Sequence, residues 1–180
     1  MRLLHTRLAL ALLAVAVVAG CGGESTSGAS SSTVEDHAYA AMSRPLAGPP
    51  PLFTAQIPAP ARLEGSTSYR VGRSQKYPAY LVRTADGELC LYARGDDGIG
   101  GSCTRGGSPD HGVVALGEVR ADGGYVLTIA VPDDVTAVTA KGRAHVPEDN
   151  LVSLNLPYEP TSIEMASSRG DFAFRVVPRR

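Results

Sequence analysis

Residues Ala79 to Arg94 read AYLVRTADGELCLYAR, two runs rich in aliphatic and aromatic residues on either side of Asp86-Gly87. Asp-Gly between such runs signals a β-hairpin, because a tight hairpin turn needs positive φ, which Gly and Asp tolerate. A two-residue turn here sets Ala85 opposite Glu88. Counting outward then places Thr84 opposite Leu89, Val82 opposite Leu91 and Tyr80 opposite Ala93 on the face expected to line the core.

The same grammar repeats downstream. Val113 to Arg120 and Tyr125 to Val131 form a second predicted hairpin across Ala121 to Gly124, with Tyr125, Leu127, Ile129 and Val131 on one side of the later strand. Val135 to Lys141, Arg143 to Val146 and Leu151 to Leu156 follow, and Ile163 to Ser167 pairs with Asp171 to Val177 across Arg169-Gly170. Beyond Arg62 no window of roughly 10 to 12 residues has helical periodicity free of Gly and Pro. The expected fold is all-β, an antiparallel β-sandwich or partly open barrel over residues 62–178.

Composition narrows the function classes. Of 180 residues, 43% are hydrophobic and 19% charged, a globular balance. Seventeen Lys and Arg stand against eighteen Asp and Glu, a net charge of −1. Such a chain has no basic field to gather phosphates, which speaks against nucleic acid as a partner.

The first twenty residues are of a different kind. Arg2 and Arg7 precede Leu8 to Val18 (LALALLAVAVV), an apolar run that matches the h-region of a signal peptide. A spanning helix needs roughly 20 apolar residues, and here Gly22, Gly23 and Glu24 follow too soon. The run ends in Val18-Ala19-Gly20-Cys21, which resembles the lipobox of bacterial lipoproteins at all four positions. The resemblance implies diacylglyceryl transfer to the Cys21 sulfur and cleavage before it, with residues 1–20 removed as signal peptide. It places the protein on the extracytoplasmic face of the cell membrane, held there through lipid on Cys21. The alternative is an ordinary secretory signal with a cysteine near its end. Two or three acyl chains, unlike one, make such an attachment durable.

Residues 21–61 read as the lipidated cysteine followed by a disordered tether, rich in Ser and Gly and then in Pro. Such a stretch buries too little apolar area to offset its ordering entropy. About 40 residues of coil would reach roughly 35 Å. Leu52, Phe53 and Ile57 are the residues in it able to dock on the domain.

With Cys21 assigned to lipid, Cys90 and Cys103 remain. In an oxidising envelope they are expected to form a disulfide, closing a loop of about 14 residues worth roughly 3 kcal/mol. The glycine-rich stretch between them, centred on Gly98 to Gly101, reads as a flexible loop pinned at its base and a candidate for recognition. Metal binding by the two thiols has no zinc-type spacing to support it.

Catalytic constellations are sparse. Asp110-His111 with Ser102 or Ser108 can be drawn as a Ser/His/Asp set, but no G-x-S-x-G context accompanies it. Asp96-Asp97, Asp133-Asp134 and Glu148-Asp149-Asn150 offer carboxylates without the alternation of an EF-hand loop. Arg94-Gly95-Asp96 and Arg169-Gly170-Asp171 both spell an adhesion-type tripeptide, the second on a predicted turn.

Gly87-Glu88-Leu89-Cys90, Gly100-Gly101-Ser102-Cys103, Val131 to Val138 and Glu148-Asp149-Asn150 follow one another in an order similar to that of uncharacterised envelope proteins from high-GC Gram-positive bacteria. Asp134 stands where that group tends to have Gly, and Asp149 where it has Asn. The resemblance implies fold and location and carries over no catalytic residue. The reading as a whole is a lipid-anchored, extracytoplasmic β-domain acting as a non-enzymatic binding or interaction module, with no cofactor and with a protein or cell-wall ligand left open. The alternative is a small envelope hydrolase or metal-dependent enzyme using loop residues near His111.

Overall fold

The computed structural model describes residues 39–95, 98–104 and 110–176. Its strands, in chain order, are β1 (Pro45–Leu46), β2 (Thr67–Ser74), β3 (Tyr77–Arg83), β4 (Leu89–Arg94), β5 (Ile99–Cys103), β6 (Val114–Val119), β7 (Tyr125–Ala130), β8 (Val135–Ala140), β9 (Arg143–His145), β10 (Leu151–Leu156), β11 (Ser162–Ser167) and β12 (Phe172–Arg175). Among the described residues they form three antiparallel sheets ordered β1-β2-β3-β4-β5, β10-β7-β6 and β12-β11-β8-β9, none closed into a barrel. The expected all-β, sandwich-type fold is present.

The sheet β10-β7-β6 is the middle layer. Tyr125, Leu127 and Ile129 of β7 join Val152, Leu154 and Leu156 of β10 in a core shared with Val138, Ile163 and Met165 of the third sheet. On the opposite face Val114, Leu116, Ala130 and Leu151 pack with Val71, Ala79, Leu81, Leu91 and Ala93 of the first sheet. Every residue of β7 is therefore buried. Its unbroken run YVLTIA is the sequence pattern of a strand covered on both faces. Fully burying one such aliphatic side chain is worth about 1.5–3 kcal/mol.

The hairpin that opened the sequence reading is present with a different register. Leu81 pairs with Leu91, Val82 with Cys90 and Tyr80 with Tyr92, one residue off the expected pairing. The loop holds three residues, not two. Thr84 N donates to Glu88 O and Gly87 N to Thr84 O, and Gly87 alone takes positive φ, at 84°. This is a turn followed by a left-handed residue, the usual three-residue hairpin loop. Ala121-Asp122-Gly123 repeats it, with Gly123 at φ 80° and Arg120 N bonded to Gly124 O. A shift of one residue exchanges the faces. Leu81 and Leu91 turn toward the middle sheet, while Val82, Cys90 and Tyr92 face outward.

That outward face is covered by the N-terminal arm. Leu52, Phe53, Ala59 and Leu63 pack on Val82, Cys90 and Tyr92. Phe53 meets the Tyr92 ring edge-on at 5.5 Å, and Arg62 Nε donates to Tyr92 Oη at 3.1 Å. Before this, β1 pairs with β2, and Tyr39 and Ala41 enter the core between the first two sheets. Residues 39–61, read from the sequence as the end of the tether, are thus packed on the sheets, although Ile57 stays exposed. Pro45, Pro49, Pro50, Pro51, Pro58 and Pro60 help explain how a stretch without regular secondary-structure periodicity is ordered, since each already restricts the unfolded chain and lowers the entropy lost on docking. The tether reading is left with residues 22–38, which lie outside the described residues together with the signal segment and Cys21.

The segment between the two domain cysteines also differs from expectation. Ile99 to Cys103 is a strand, paired with β4 from Arg94↔Ile99 to Cys90↔Cys103. Its glycines are explained by what lies over them. A Cβ on Gly101 would stand 2.3 Å from the Tyr92 ring. The backbone ladder, not side-chain burial, orders this glycine-rich run.

Candidate functional site

Cys90 and Cys103 form a disulfide between directly opposed residues of β4 and β5. Glu88 brings a carboxylate close to the sulfurs, but two sulfurs bonded to each other are not thiolate ligands.

The residues drawn as a catalytic set are not brought together. His111 is exposed and stacks on the Phe172 ring at 3.8 Å between centroids, with φ at 61°. Ser102 lies on β5 opposite Leu91. Among the described residues no hydrogen bond joins His111 to Ser102 or to a carboxylate. Ser108 and the side chain of Asp110 lie outside the described residues, as do Asp96 and Asp97. His145 ends β9 opposite Val138, half-buried.

The other acidic clusters are used by the fold. Asp133 Oδ1 accepts from Ala40 N at 2.9 Å and from Asn150 Nδ2 at 2.7 Å. Asp134 Oδ2 accepts from Ser167 Oγ at 2.8 Å and faces Arg169 Nε at 3.6 Å. Asp149 and Asn150 take φ of 47° and 63° inside a reciprocal Glu148–Leu151 pair, a tight primed hairpin turn. Arg169-Gly170-Asp171 closes the β11–β12 hairpin, where Asp171 Oδ1 accepts from Ser167 N at 3.2 Å. Tyr39, whose hydroxyl donates to Gly112 O, is held protonated well above the ordinary phenol range by burial and then by Asp134 and Asp133, against an opposing pull from Arg83.

Of the clefts among the described residues, one of about 370 Å³ lies where the edge of the first sheet meets the edge of the middle sheet. Gly98, Ile99 and Gly100 form one wall and Leu116 to Val119 the other, with Tyr125 and Glu159 at the end. Tyr125 Oη donates to Glu159 Oε1 at 3.1 Å. That hydroxyl occupies the place a side chain on Gly117 would take, since a Cβ there would fall 1.7 Å from it. The carboxylate of Glu118 lies over Gly95, with Oε2 2.1 Å from where a Cβ on Gly95 would stand. The cations nearest in sequence are engaged elsewhere. Arg94 sits over the Tyr77 ring at 5.5 Å, and Arg120 Nη2 pairs with Asp122 Oδ2 at 2.7 Å. The cleft therefore has largely apolar walls, with the Glu118 carboxylate on the side of the first sheet and the exposed Glu159 beside Tyr125 at its end.

Sequence reasoning had singled out Gly98 to Gly101 but not Glu118, Tyr125 or Glu159. Their only sequence signal was a charged residue and a glycine in a short strand, at Gly117-Glu118, which is common in edge strands. Comparison with protein-family models, with curated proteins and with solved structures finds no match. No helix among the described residues is long and apolar enough to cross a membrane.

Proposed function

We propose that this chain is a bacterial lipoprotein whose β-domain works as a binding module on the extracytoplasmic face of the cell membrane, held by lipid on Cys21. The lipobox-like Val18-Ala19-Gly20-Cys21 after an apolar run supports the anchoring. The bonded Cys90–Cys103 pair agrees with an oxidising compartment. The observation that carries the binding reading is the cleft beside β5, lined by Gly98 to Gly100 and Leu116 to Val119, while His111, first drawn as catalytic, stacks on Phe172. Binding sites collect polar groups that the scaffold itself does not consume.

With the packed region reaching back to Tyr39, the chain from Gly22 to residue 38 is the whole length available as a tether. Fully extended it spans at most about 60 Å, so the cleft would work close to the membrane surface.

Metabolic labelling with an acyl probe tests the anchoring. Label and membrane association are expected for the native chain and lost in Cys21→Ala. Retention of both in that variant overturns it. Equilibrium binding of soluble envelope fragments to the Cys21→Ala chain tests the module: saturable binding without turnover is expected, and conversion of a bound fragment to product favours the hydrolase instead.

A further inference from the structure

We propose that the Cys90–Cys103 bond is guarded against reduction, with Glu88 repelling attacking thiolates and the N-terminal arm leaving Cys103 as the sulfur open to attack. The guard makes the bond a permanent staple between β4 and β5 and not a redox switch.

The carboxylate of Glu88 lies within 4.8 Å of both sulfurs. Glu88 stands two residues before Cys90, the spacing that returns to the same side of an extended chain. Its backbone is fixed by the hairpin loop, where Glu88 N donates to Thr84 Oγ1 at 3.0 Å and Thr84 N donates to Glu88 O at 2.9 Å. Reduction begins when a thiolate attacks one sulfur, forms a mixed disulfide there and expels the other sulfur as a thiolate. A second reductant thiolate then attacks the reductant's own sulfur in the mixed disulfide. Two reductant thiols end as one disulfide, and Cys90 and Cys103 take up the two protons. Negative charge arrives with the attacker and remains on the leaving sulfur, so a carboxylate at this distance opposes both.

The arm decides which sulfur is attacked. Cys90 has no exposed surface and packs with Leu63, Leu52, Phe53 and Ala59. Cys103, on the edge strand β5, is half-buried. Attack therefore falls on Cys103 Sγ, and the sulfur expelled is that of Cys90, inside an apolar cover. Burial disfavours a thiolate, and a more basic thiolate leaves more slowly. The cover and the carboxylate thus slow the same step.

The test follows reduction of the full Cys21→Ala chain, in which Cys90 and Cys103 are the only cysteines. Two small thiols of opposite charge are used, 2-mercaptoethanesulfonate and cysteamine, at low ionic strength and with rates expressed per thiolate. Both reactions should be first order in thiol; rates independent of thiol concentration would mean that the bond opens only after unfolding, and overturn the guard. Glu88→Gln should speed the sulfonate reaction relative to the cysteamine reaction by about fivefold. Added salt should narrow the difference between the two thiols in the native chain. Glu88→Asp, which keeps the charge, should keep the native ratio of the two rates. Equal acceleration of both thiols in Glu88→Gln would mark a merely structural role and overturn the part given to its charge. Phe53→Ala thins the cover and should raise both rates without changing their ratio, and unchanged rates overturn the part given to the arm. Peptide mass mapping of the acid-quenched mixed disulfide should find the reductant on Cys103; finding it on Cys90 overturns the order of attack.

Discussion

Asn150 presents its side-chain carbonyl to the backbone N–H of Ala41 at 3.0 Å, across 109 residues of sequence. Its amide donates to Val131 O at 3.1 Å and to Asp133 Oδ1 at 2.7 Å, and Asp133 in turn accepts from Ala40 N. One buried amide thus ties the start of the N-terminal arm to the strand ends of the middle and third sheets.

Asn150→Ala is expected to cost about 2 kcal/mol, because it strands the Ala41 N–H and leaves a side chain that poorly tolerates φ of 63°. Asn150→Gly loses the same hydrogen bonds and relieves the backbone, so it should recover up to about 1 kcal/mol of that loss. Chemical denaturation gives both numbers. Hydrogen exchange at Ala41 should quicken in both variants while Leu127 stays protected; equal protection at Ala41 would show that the arm is held by its apolar contacts alone.

Tyr39 supplies a pH dependence. Burial, Asp134 and Asp133 raise its pKa in the folded protein. Its contribution is therefore fully present below the unfolded phenol value of about 10 and is lost as pH rises from there toward the raised folded value. Stability of the native chain should fall above pH ~10, and Tyr39→Phe should flatten that limb at a cost of about 1 kcal/mol at neutral pH. Denaturation curves from pH 8 to about 11 make the comparison, and parallel alkaline limbs would count against it.

Ser74 Oγ and Thr128 Oγ1 lie 2.6 Å apart, both buried between the first and middle sheets. Removing either hydroxyl leaves the other without this partner, at about 1–3 kcal/mol. Ser74→Ala with Thr128→Val should cost less than the sum of the two single changes by about 1 kcal/mol or more. A double-mutant cycle by urea denaturation reads the coupling, and strict additivity would mean the pair does not act as a unit.

Reduction of Cys90–Cys103 should lower stability by roughly 3 kcal/mol in the chain-entropy view. Amides of β5, an edge strand, should then exchange faster than those of β7, which is paired on both sides. Strand chemical shifts from Ile99 to Cys103 should nonetheless persist, since the ladder to β4 does not depend on the bond. Their collapse to coil values on reduction would show that the disulfide is what orders the segment.

Local chemistry was legible in the sequence. Asp-Gly and Gly-Gly punctuation located the hairpins, and alternation located most strands. Cys90 and Cys103 were paired by elimination and are bonded. Even the register error at Asp86-Gly87 was local, a three-residue loop mistaken for a two-residue one because only Gly87 needs positive φ. β2 escaped notice because Arg70 and Arg73 interrupt its apolar residues, and it bulges between Val71 and Arg73.

The tertiary structure decided what each strand faces. Periodicity marks Tyr125, Leu127 and Ile129 as one buried face, but only the stacking of a sheet on either side buries Val126, Thr128 and Ala130 as well. The arm from Tyr39 to Leu63 has no apolar periodicity of its own; it is ordered by partners as distant as Asn150 and Gly112. The cleft has the same origin, since Gly98 to Gly100 and Leu116 to Val119 belong to different segments and line one space only where two sheet edges approach. Short-range hydrogen bonding is encoded within a few residues. Burial and charge compensation are properties of surfaces, and the surfaces exist only once the layers have packed.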